Sequence, residues 1–164
     1  SSTAPILSIR IAPSVDSGIP RNFGVRNIIN RMQLILSNMS VYTNGSFLLT
    51  IKLNGTSTTF TPSNWTANSV GAGSLSQVIY HNPGDAFTGG DTIFAFYANN
   101  SGGSTNFNST DVDLLNVKDL GHSIIGGDGV YPDGPDVLTV LATNLSTTAT
   151  SALYSRISWT EAQA

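Results

Sequence analysis

Apolar and polar residues alternate along much of the chain, which is the pattern of strands with one buried face. In residues 31–42, for example, Met32, Leu34 and Leu36 fall on one face of a strand. The other segments with this character are bounded by clusters of Gly, Asn, Asp, Pro and Ser. The segments predicted to be strands are 6–11, 31–42, 47–53, 56–61, 91–98, 111–117, 137–143 and 152–160. About eight short strands separated by such turns predict an all-β fold, an antiparallel, jelly-roll-like β-sandwich.

Two Asn-Gly pairs mark turns between predicted strands. Asn44–Gly45 stands between segments 31–42 and 47–53. A type I′ turn needs positive φ at both central residues, which Asn-Gly supplies, so a hairpin is predicted there. Asn54–Gly55 repeats the signal at the other end of 47–53. The Thr-rich segment 56–61 is predicted to follow it as a short strand, because Thr is β-branched.

Two stretches have helical features, and two others read as long loops. Residues 25–32 carry apolar side chains three and four positions apart, which predicts a short helix. Residues 74–80 begin with a Ser that is a suitable helix N-cap, so a second short helix is predicted there. The Gly-rich segments 99–110 and 126–135 are predicted loops, where function or contacts with neighbours are often found.

Aromatic residues near the predicted strands have two interpretations, core or ligand contact. Trp159 alternates in register with Ile157, so we expect it to pack in the core. Trp65 lies among Ser, Asn and Thr and is the better surface candidate, although a lone aromatic residue in a β-sandwich is more often core. The residues that would stack on sugar rings if exposed are Trp65, Tyr80, Tyr97, Tyr131 and Trp159.

The length and composition fit one domain over residues 1–164. The chain has 164 residues, of which only 10% are charged, against about 25% in average soluble proteins. Ser, Thr, Asn and Gly take the place of the charged residues, so the surface has weak long-range electrostatic fields. Because the chain opens on Ser1 rather than Met, we expect it to be processed or to be part of a longer polypeptide.

The charge and hydropathy of the chain argue against a nucleic-acid or membrane partner. The formal net charge is −3 and the seven Lys and Arg residues are scattered, whereas a nucleic-acid site needs a basic patch. No apolar run approaches the roughly 18 residues that span a membrane, and no signal peptide is visible. The chain contains no Cys, so it forms no disulfide and no thiolate metal site.

Three carboxylates lie in one Gly-rich segment. Asp128, Asp133 and Asp136 occur in GGDGVYPDGPD. Carboxylates on such a loop can wrap a hard cation such as calcium, although the spacing does not match an EF-hand. The alternative interpretation is a series of tight turns in which Asp caps its own backbone, and we favour it. No metal ligand or cofactor is therefore assigned.

No catalytic motif is present in the sequence. His81 and His122 are the only histidines, and Ser and Asp are so common that a Ser-His-Asp set carries little signal. No nucleophile elbow of the Gly-X-Ser-X-Gly type occurs. Glu161 is the only Glu, which argues weakly against a glycosidase with paired carboxylates. We therefore assign no catalytic residue and predict a protein that is not an enzyme.

Four segments carry a resemblance to a known family. Residues 9–16 (IRIAPSVD), 28–34 (IINRMQL), 130–136 (VYPDGPD) and 156–164 (RISWTEAQA) resemble, in order and spacing, a domain of virion structural proteins of marine tailed bacteriophages, cyanophages among them. In that family the domain tends to stand at the C-terminus of a longer protein. The resemblance implies no catalytic or binding residues.

The resemblance implies a structural role in the virion, on the capsid surface, tail or fibre, after assembly in the bacterial host cytoplasm. The expected partners are other copies of the chain, because symmetric homo-oligomers are common, and other virion proteins. Two alternatives remain open. One is a fibre domain that binds a host glycan or receptor, and the other is a polysaccharide depolymerase. A groove lined by exposed aromatic residues would favour the first, and a cleft with two close carboxylates the second.

Overall fold

The computed structural model describes residues 2–12, 14–16, 27–29, 32–67, 76–99, 107–117, 119–121, 135–146 and 151–163. These residues form eleven strands and one short helix. In chain order they are β1 (Thr3–Ile11), β2 (Ser14–Asp16), β3 (Asn27–Ile29), β4 (Met32–Thr43), β5 (Phe47–Leu53), α1 (Pro62–Ala67), β6 (Ser76–Tyr80), β7 (Asp91–Ala98), β8 (Asn108–Asp113), β9 (Asp119–Leu120), β10 (Leu138–Asn144) and β11 (Leu153–Gln163).

The strands form two antiparallel sheets that share one core, so the predicted antiparallel β-sandwich is confirmed. The five-stranded sheet has the order β6-β1-β10-β5-β7. The four-stranded sheet has the order β11-β4-β8, and β9 also pairs with β4. The chain passes directly from one sheet to the other at β4 to β5, β7 to β8, β9 to β10 and β10 to β11, which is its jelly-roll-like feature. Strands β2 and β3 pair separately.

The inner faces of both sheets supply the core. On the five-stranded sheet, Ile9 of β1, Val140 of β10 and Leu49 of β5 are fully buried. On the four-stranded sheet, β4 contributes the largest set of buried residues, and Ile157 and Trp159 of β11 pack against it partly buried. The prediction that Trp159 joins the core on the same face as Ile157 is therefore confirmed.

A bulge in β4 switches which face of the strand is buried. Trp159 pairs with Leu36 while Ser158 pairs with Asn38, so Ser37 is an extra residue on β4. Before it, the even-numbered residues from 32 to 36 face the core as predicted. After it, the odd-numbered residues from 39 to 43 are buried. The inserted residue therefore turns Tyr42 outward, where it is 50% exposed.

The predicted Asn44–Gly45 hairpin is wrong. Strands β4 and β5 lie in different sheets, and neither residue of the pair has positive φ. The corner is instead fixed to the segment before β11, because Ala152 N donates to Asn44 Oδ1 at 2.7 Å. A Cβ atom on Gly45 would lie 2.6 Å from the Ser151 Cβ, so a close approach of two chain segments favours glycine here.

The second predicted hairpin, at Asn54–Gly55, is wrong as well. Asn54 has φ of 59°, as a turn residue would, but its backbone N–H donates to the Val137 carbonyl at 2.7 Å. It does not lead into a fourth strand. Within residues 56–61 only Thr56 makes a bridge, and its partner is Thr88.

Both predicted short helices are contradicted in their described parts. Residues 27–29 form β3, and residues 76–80 form β6. The alternation is hidden in β6 because Val78 is buried in the core while its neighbour Ile79 is buried on the other face of the sheet. The helix that does form, α1, was not predicted. The loop predicted at 99–110 is shorter, because β8 begins at Asn108, and all of 126–135 except Pro135 lies outside the described residues.

Part of the outer face of the five-stranded sheet is covered by a second layer of side chains. Trp65 of α1 is 2% exposed, so it is a core residue of this layer and not the surface candidate the sequence suggested. The Phe60 ring lies 5.4 Å from the Trp65 ring and 6.5 Å from the Phe87 ring. Phe87 in turn covers Gly55, where an added Cβ would lie 2.1 Å from the ring. The sheet is therefore buried on both sides at this point.

The two sheets are also joined along one side of the sandwich. Ser76, at the start of the edge strand β6, donates to Glu161 of the edge strand β11 at 2.5 Å. Glu161, the only Glu of the chain, thus acts as an acceptor that links the two sheets.

Candidate functional site

Ser8, His81 and Asp85 meet in the outer layer of the five-stranded sheet. Ser8 lies on β1 with its side chain on the outer face, and His81 directly follows β6. The Ser8 Oγ is 2.7 Å from His81 Nε2, and His81 Nδ1 is 3.0 Å from Asp85 Oδ2. This order of contacts is the order in a nucleophilic triad, so the set has to be considered as a candidate active site.

A local turn positions Asp85 for this contact. The Asp85 backbone N–H donates to the Asn82 carbonyl at 3.0 Å, which closes a turn through Pro83 and Gly84. The Asp85 carboxylate then accepts the Asn82 N–H at 3.0 Å as well as the His81 ring N–H. The turn is thus built to hold the carboxylate against His81.

The electrostatics of the set favour a neutral imidazole. Burial lowers the pKa of His81, and the hydrogen bond and charge of Asp85 only partly oppose this effect. The side chain of His81 has no exposed surface. A neutral ring that donates from Nδ1 to Asp85 accepts at Nε2, so the Ser8 hydroxyl donates to it.

The position of Ser8 is that of a structural residue. Ser8 has no exposed surface, and its Oγ lies 2.8 Å from Thr139 Oγ1 of β10, which is also fully buried. The Phe60 ring lies 6.0 Å from the His81 ring on the same side of the sheet. A serine enclosed in this way cannot reach a substrate. The set therefore satisfies buried polar groups beneath the outer layer, as buried polar groups generally require.

A groove of about 290 Å³ opens near the start of β1. Its lining includes Ala4, Phe47, Asn144 and Leu153. His81 is the one titratable residue of the lining, and it is engaged by Ser8 and Asp85. The groove thus offers no further acid or base for chemistry.

The three-carboxylate segment is only partly described. Asp128 and Asp133, like His122 and Tyr131, lie outside the described residues, so the calcium and turn interpretations stay open for them. The Asp136 carboxylate accepts from Asn54 Nδ2 at 3.2 Å. Among the residues that the structure describes, no group of three or more His, Asp or Glu is placed to hold a metal ion.

Four of the aromatic residues that could stack on sugar rings are described by the structure. Two pack against other side chains of the protein, and two lie far apart on its surface. Trp65 is buried, and Trp159 packs against the core partly buried. Tyr80 and Tyr97 are 73% and 68% exposed. Tyr80 ends the edge strand β6, whereas Tyr97 is in the edge strand β7, so they are separated across the five-stranded sheet.

A group of three aromatic side chains, not predicted from the sequence, lies on the outer face of the four-stranded sheet. Tyr42 of β4 pairs directly with Tyr154 of β11, and Phe107 lies just before β8. The Phe107 ring stacks on Tyr42 with centroids 4.7 Å apart and lies 6.0 Å from the Tyr154 ring. We call these three residues the aromatic cluster. The bulge in β4 is what brings Tyr42 to this face.

Polar side chains border the aromatic cluster. In the next pairing row on this face of the sheet, Ser40 stands between Arg156 and Asp111. The Ser40 hydroxyl donates to Asp111 Oδ1 at 2.5 Å. Farther along the same face is an open depression of about 340 Å³. It is lined by Ser37, Asn38, Asp111, Val112, Asp113 and Leu115. This face therefore combines exposed rings with short hydrogen-bonding groups, as small-ligand sites do.

Comparisons of the chain with family models, with curated proteins and with solved structures find no match. In the part of the chain that the structure describes, no helix has the length and apolar character needed to cross a membrane.

Proposed function

We propose that this chain is a non-enzymatic structural module of a tailed-phage virion, placed on the capsid surface, tail or fibre, and acting through contacts between folded subunits. The family resemblance of the four segments described above motivates the virion assignment. The observation that carries the non-enzymatic part is the contrast between an enclosed Ser8 and the exposed aromatic cluster. Ser8, which would have to attack a substrate, is buried, whereas the exposed aromatic cluster is suited to binding.

The composition and the sheet edges support assembly with other subunits. With 10% charged residues, copies of the chain approach one another with little charge repulsion. Strands β7 and β11 lie at the ends of the two sheets in the order described. Outer strands of open sheets need to be covered or paired. Neighbouring subunits in a particle would supply that cover.

Immunogold electron microscopy of purified particles tests this proposal. An antibody against the 164-residue chain should label particles at a regular position on the tail, fibre or head. Label at fibre or tail tips would favour a role in attachment, and even label over the head a decoration role. Absence of label from all particles would overturn the virion assignment. A preimmune serum on the same grids is the control.

A second function, binding of a host-surface glycan, is favoured by a specific observation. The aromatic cluster lies beside the depression that contains Asn38, Asp111 and Asp113. The rings do not line the depression, so this is not the aromatic groove expected from the sequence, but exposed rings next to hydrogen-bonding side chains are suited to a small ligand. The two functions are compatible, because a structural subunit at a fibre tip can also bind the host.

A polysaccharide depolymerase has weaker support. Asp111 and Asp113 lie on the same outer face of β8, two residues apart. Both are exposed on an open surface. Glycoside hydrolysis instead needs one carboxylic acid held protonated, commonly by an apolar, desolvated pocket.

A further inference from the structure

The outer face of the four-stranded sheet presents a ring platform at one end and a polar depression next to it. Tyr42 and Tyr154 are 50% and 64% exposed, and Phe107 packs against both. Because the two tyrosines are a directly opposed pair on β4 and β11, the backbone fixes their separation. Rings held in this way lose little conformational entropy when a ligand binds, which favours binding.

We propose that this face binds a neutral carbohydrate chain, with the aromatic cluster as its stacking platform and the depression as its hydrogen-bonding subsite. The inference deepens the glycan-binding function proposed above and rests on it. It assigns the ligand class and the residues, and it does not depend on where the chain sits in a particle.

The chemistry of a sugar matches both parts of the face. One face of a pyranose ring is rich in C–H groups and packs on an aromatic ring, while its hydroxyl groups point outward around the rim. The hydrogen bonds from Ser40 and from the Leu115 N–H both use Oδ1, of Asp111 and Asp113 respectively. We assign Oδ2 of each carboxylate as an acceptor for the ligand's hydroxyls, because an ionised carboxylate has several acceptor positions.

The composition of the face argues for a sugar rather than a protein partner. Beyond the three rings, the outer positions are dominated by short polar residues. They include Asn38, Ser40, Ser109, Asp111, Asp113 and Ser158. Protein interfaces are enriched in aromatic residues, Met and Arg and depleted in Asp and Ser. The three rings and Arg156 are of the enriched types, but Asp and Ser make up most of the other outer positions of this face.

The charges of the face select a neutral ligand. Asp111 and Asp113 carry two negative charges, and Arg156 is a cation in the same pairing row as Asp111. A sulfated or uronate polymer would meet net repulsion here, whereas a neutral hexose polymer would not. Binding should therefore depend little on ionic strength, in contrast to binding of a polyanion.

Native affinity electrophoresis of the 164-residue chain tests the proposal. The gels would contain a soluble neutral polysaccharide (dextran, mannan, galactomannan or mixed-linkage β-glucan) or a charged one (dextran sulfate or alginate). We expect retardation in at least one neutral gel and none in the charged gels. The pair of dextran and dextran sulfate isolates the effect of charge on one polymer backbone.

Three variants assign the site. Tyr42→Ala and Tyr154→Ala should each weaken retardation by about tenfold or more, as expected when an aromatic anchor is removed. Tyr97→Ala is the matched control, because Tyr97 has the same side chain and similar exposure but lies on the other sheet. It should bind as the unmodified chain does. Unchanged thermal melts of all three variants would show that folding is not the cause.

Several results would overturn the proposal. The first is that no neutral gel retards the chain. The second is retardation in charged gels that added salt abolishes. The third is a loss of retardation in Tyr97→Ala equal to that in Tyr42→Ala and Tyr154→Ala. Self-association in sedimentation velocity that Tyr42→Ala abolishes would identify the face as a protein interface instead. Immunogold labelling distinguishes a failure of the virion assignment from a failure of the sugar-binding proposal. Labelled particles without sugar binding would contradict only the sugar-binding proposal. Sugar binding without label on any particle would contradict only the virion assignment.

Discussion

The guanidinium carbon of Arg10 lies 4.4 Å from the centre of the Trp65 ring, so a cation of β1 is covered by the aromatic side chain of α1. Burial lowers the pKa of Arg10 to about 10, which leaves it charged at neutral pH. Its Nε also donates to Gln77 Oε1 on β6 at 2.9 Å. One charged side chain thus connects the outer layer to two strands of the sheet beneath it.

Replacement of Trp65 by Ala should be severely destabilising. The ring is almost fully buried and contacts Phe60 as well as Arg10, so the change opens a cavity and removes the ring that packs on the guanidinium. We expect the free energy of unfolding to fall by about 3–5 kcal/mol, measured by urea denaturation. Tyr97→Ala is the exposed control and should change it by less than about 0.5 kcal/mol. Equally small losses of stability in Trp65→Ala and Tyr97→Ala would show that the outer layer contributes nothing to the free energy of unfolding.

Replacement of Trp159 by Ala should cost less than replacement of Trp65. Trp159 packs against the main core but is only partly buried. A loss of about 2–3 kcal/mol is expected, below the usual range for a fully buried Trp. The two variants would be compared in the same urea series. An unchanged midpoint for Trp159→Ala would show that β11 is peripheral to stability.

Replacement of Ser8 by Ala should destabilise the protein, as expected for a structural and not a catalytic residue. The change leaves His81 Nε2 and Thr139 Oγ1 without their shared partner, and an unsatisfied buried group costs about 1–3 kcal/mol. Ser109→Ala, at an exposed position on β8, is the matched control. A fluorophosphonate probe should not label Ser8 in the folded chain, because the serine has no exposed surface. Labelling at Ser8, detected by mass spectrometry, would show that the set is an accessible active site.

Stability should depend on pH through His81. Since its pKa is lowered in the folded state, the unfolded chain takes up a proton first as pH falls below about 6.5. The contribution of the neutral ring is therefore fully present above that pH and is lost as pH falls toward the folded pKa. Thermal melts of the unmodified chain from pH 8 to pH 5 should show this loss.

The His81→Gln variant isolates the effect. It removes the titration at residue 81 and leaves His122 unchanged in both proteins. We expect the stability difference between the two proteins to shrink as pH falls from about 6.5 to 5. A difference that stays constant over this range would contradict the lowered pKa.

Sequence pattern located several strands that alternate or are apolar throughout, but it placed Asn108–Asp113 at 111–117, where residues 115–117 form a turn. Phe47–Leu53 and Asp91–Ala98 were predicted with their observed bounds. The strand Ser76–Tyr80 was not recognised, because the outer layer buries its second face and removes the alternation. The Asn44–Gly45 signal failed because a local turn preference does not reveal in which sheet the next strand lies.

The site could not be predicted from the sequence for a related reason. Ser8 and His81 are 73 residues apart, and only the pairing of β1 with β6 brings them together. Tyr42 and Tyr154 are opposed only through the pairing of β4 with β11. A signal for Tyr42 did exist. The apolar positions of β4 change from even to odd numbers after Ser37, which marks a bulge and predicts an outward Tyr42.

The order of the strands has a consequence for folding kinetics. Among the described strand pairs, only β2 with β3 joins consecutive strands, so nearly every ladder must close a long loop before it gains stability. Such non-local pairing predicts slow folding, on the scale of milliseconds to seconds or longer. During synthesis on the ribosome, β4 emerges long before its partner β11. Its apolar face therefore has to be kept from aggregation until that distant partner arrives.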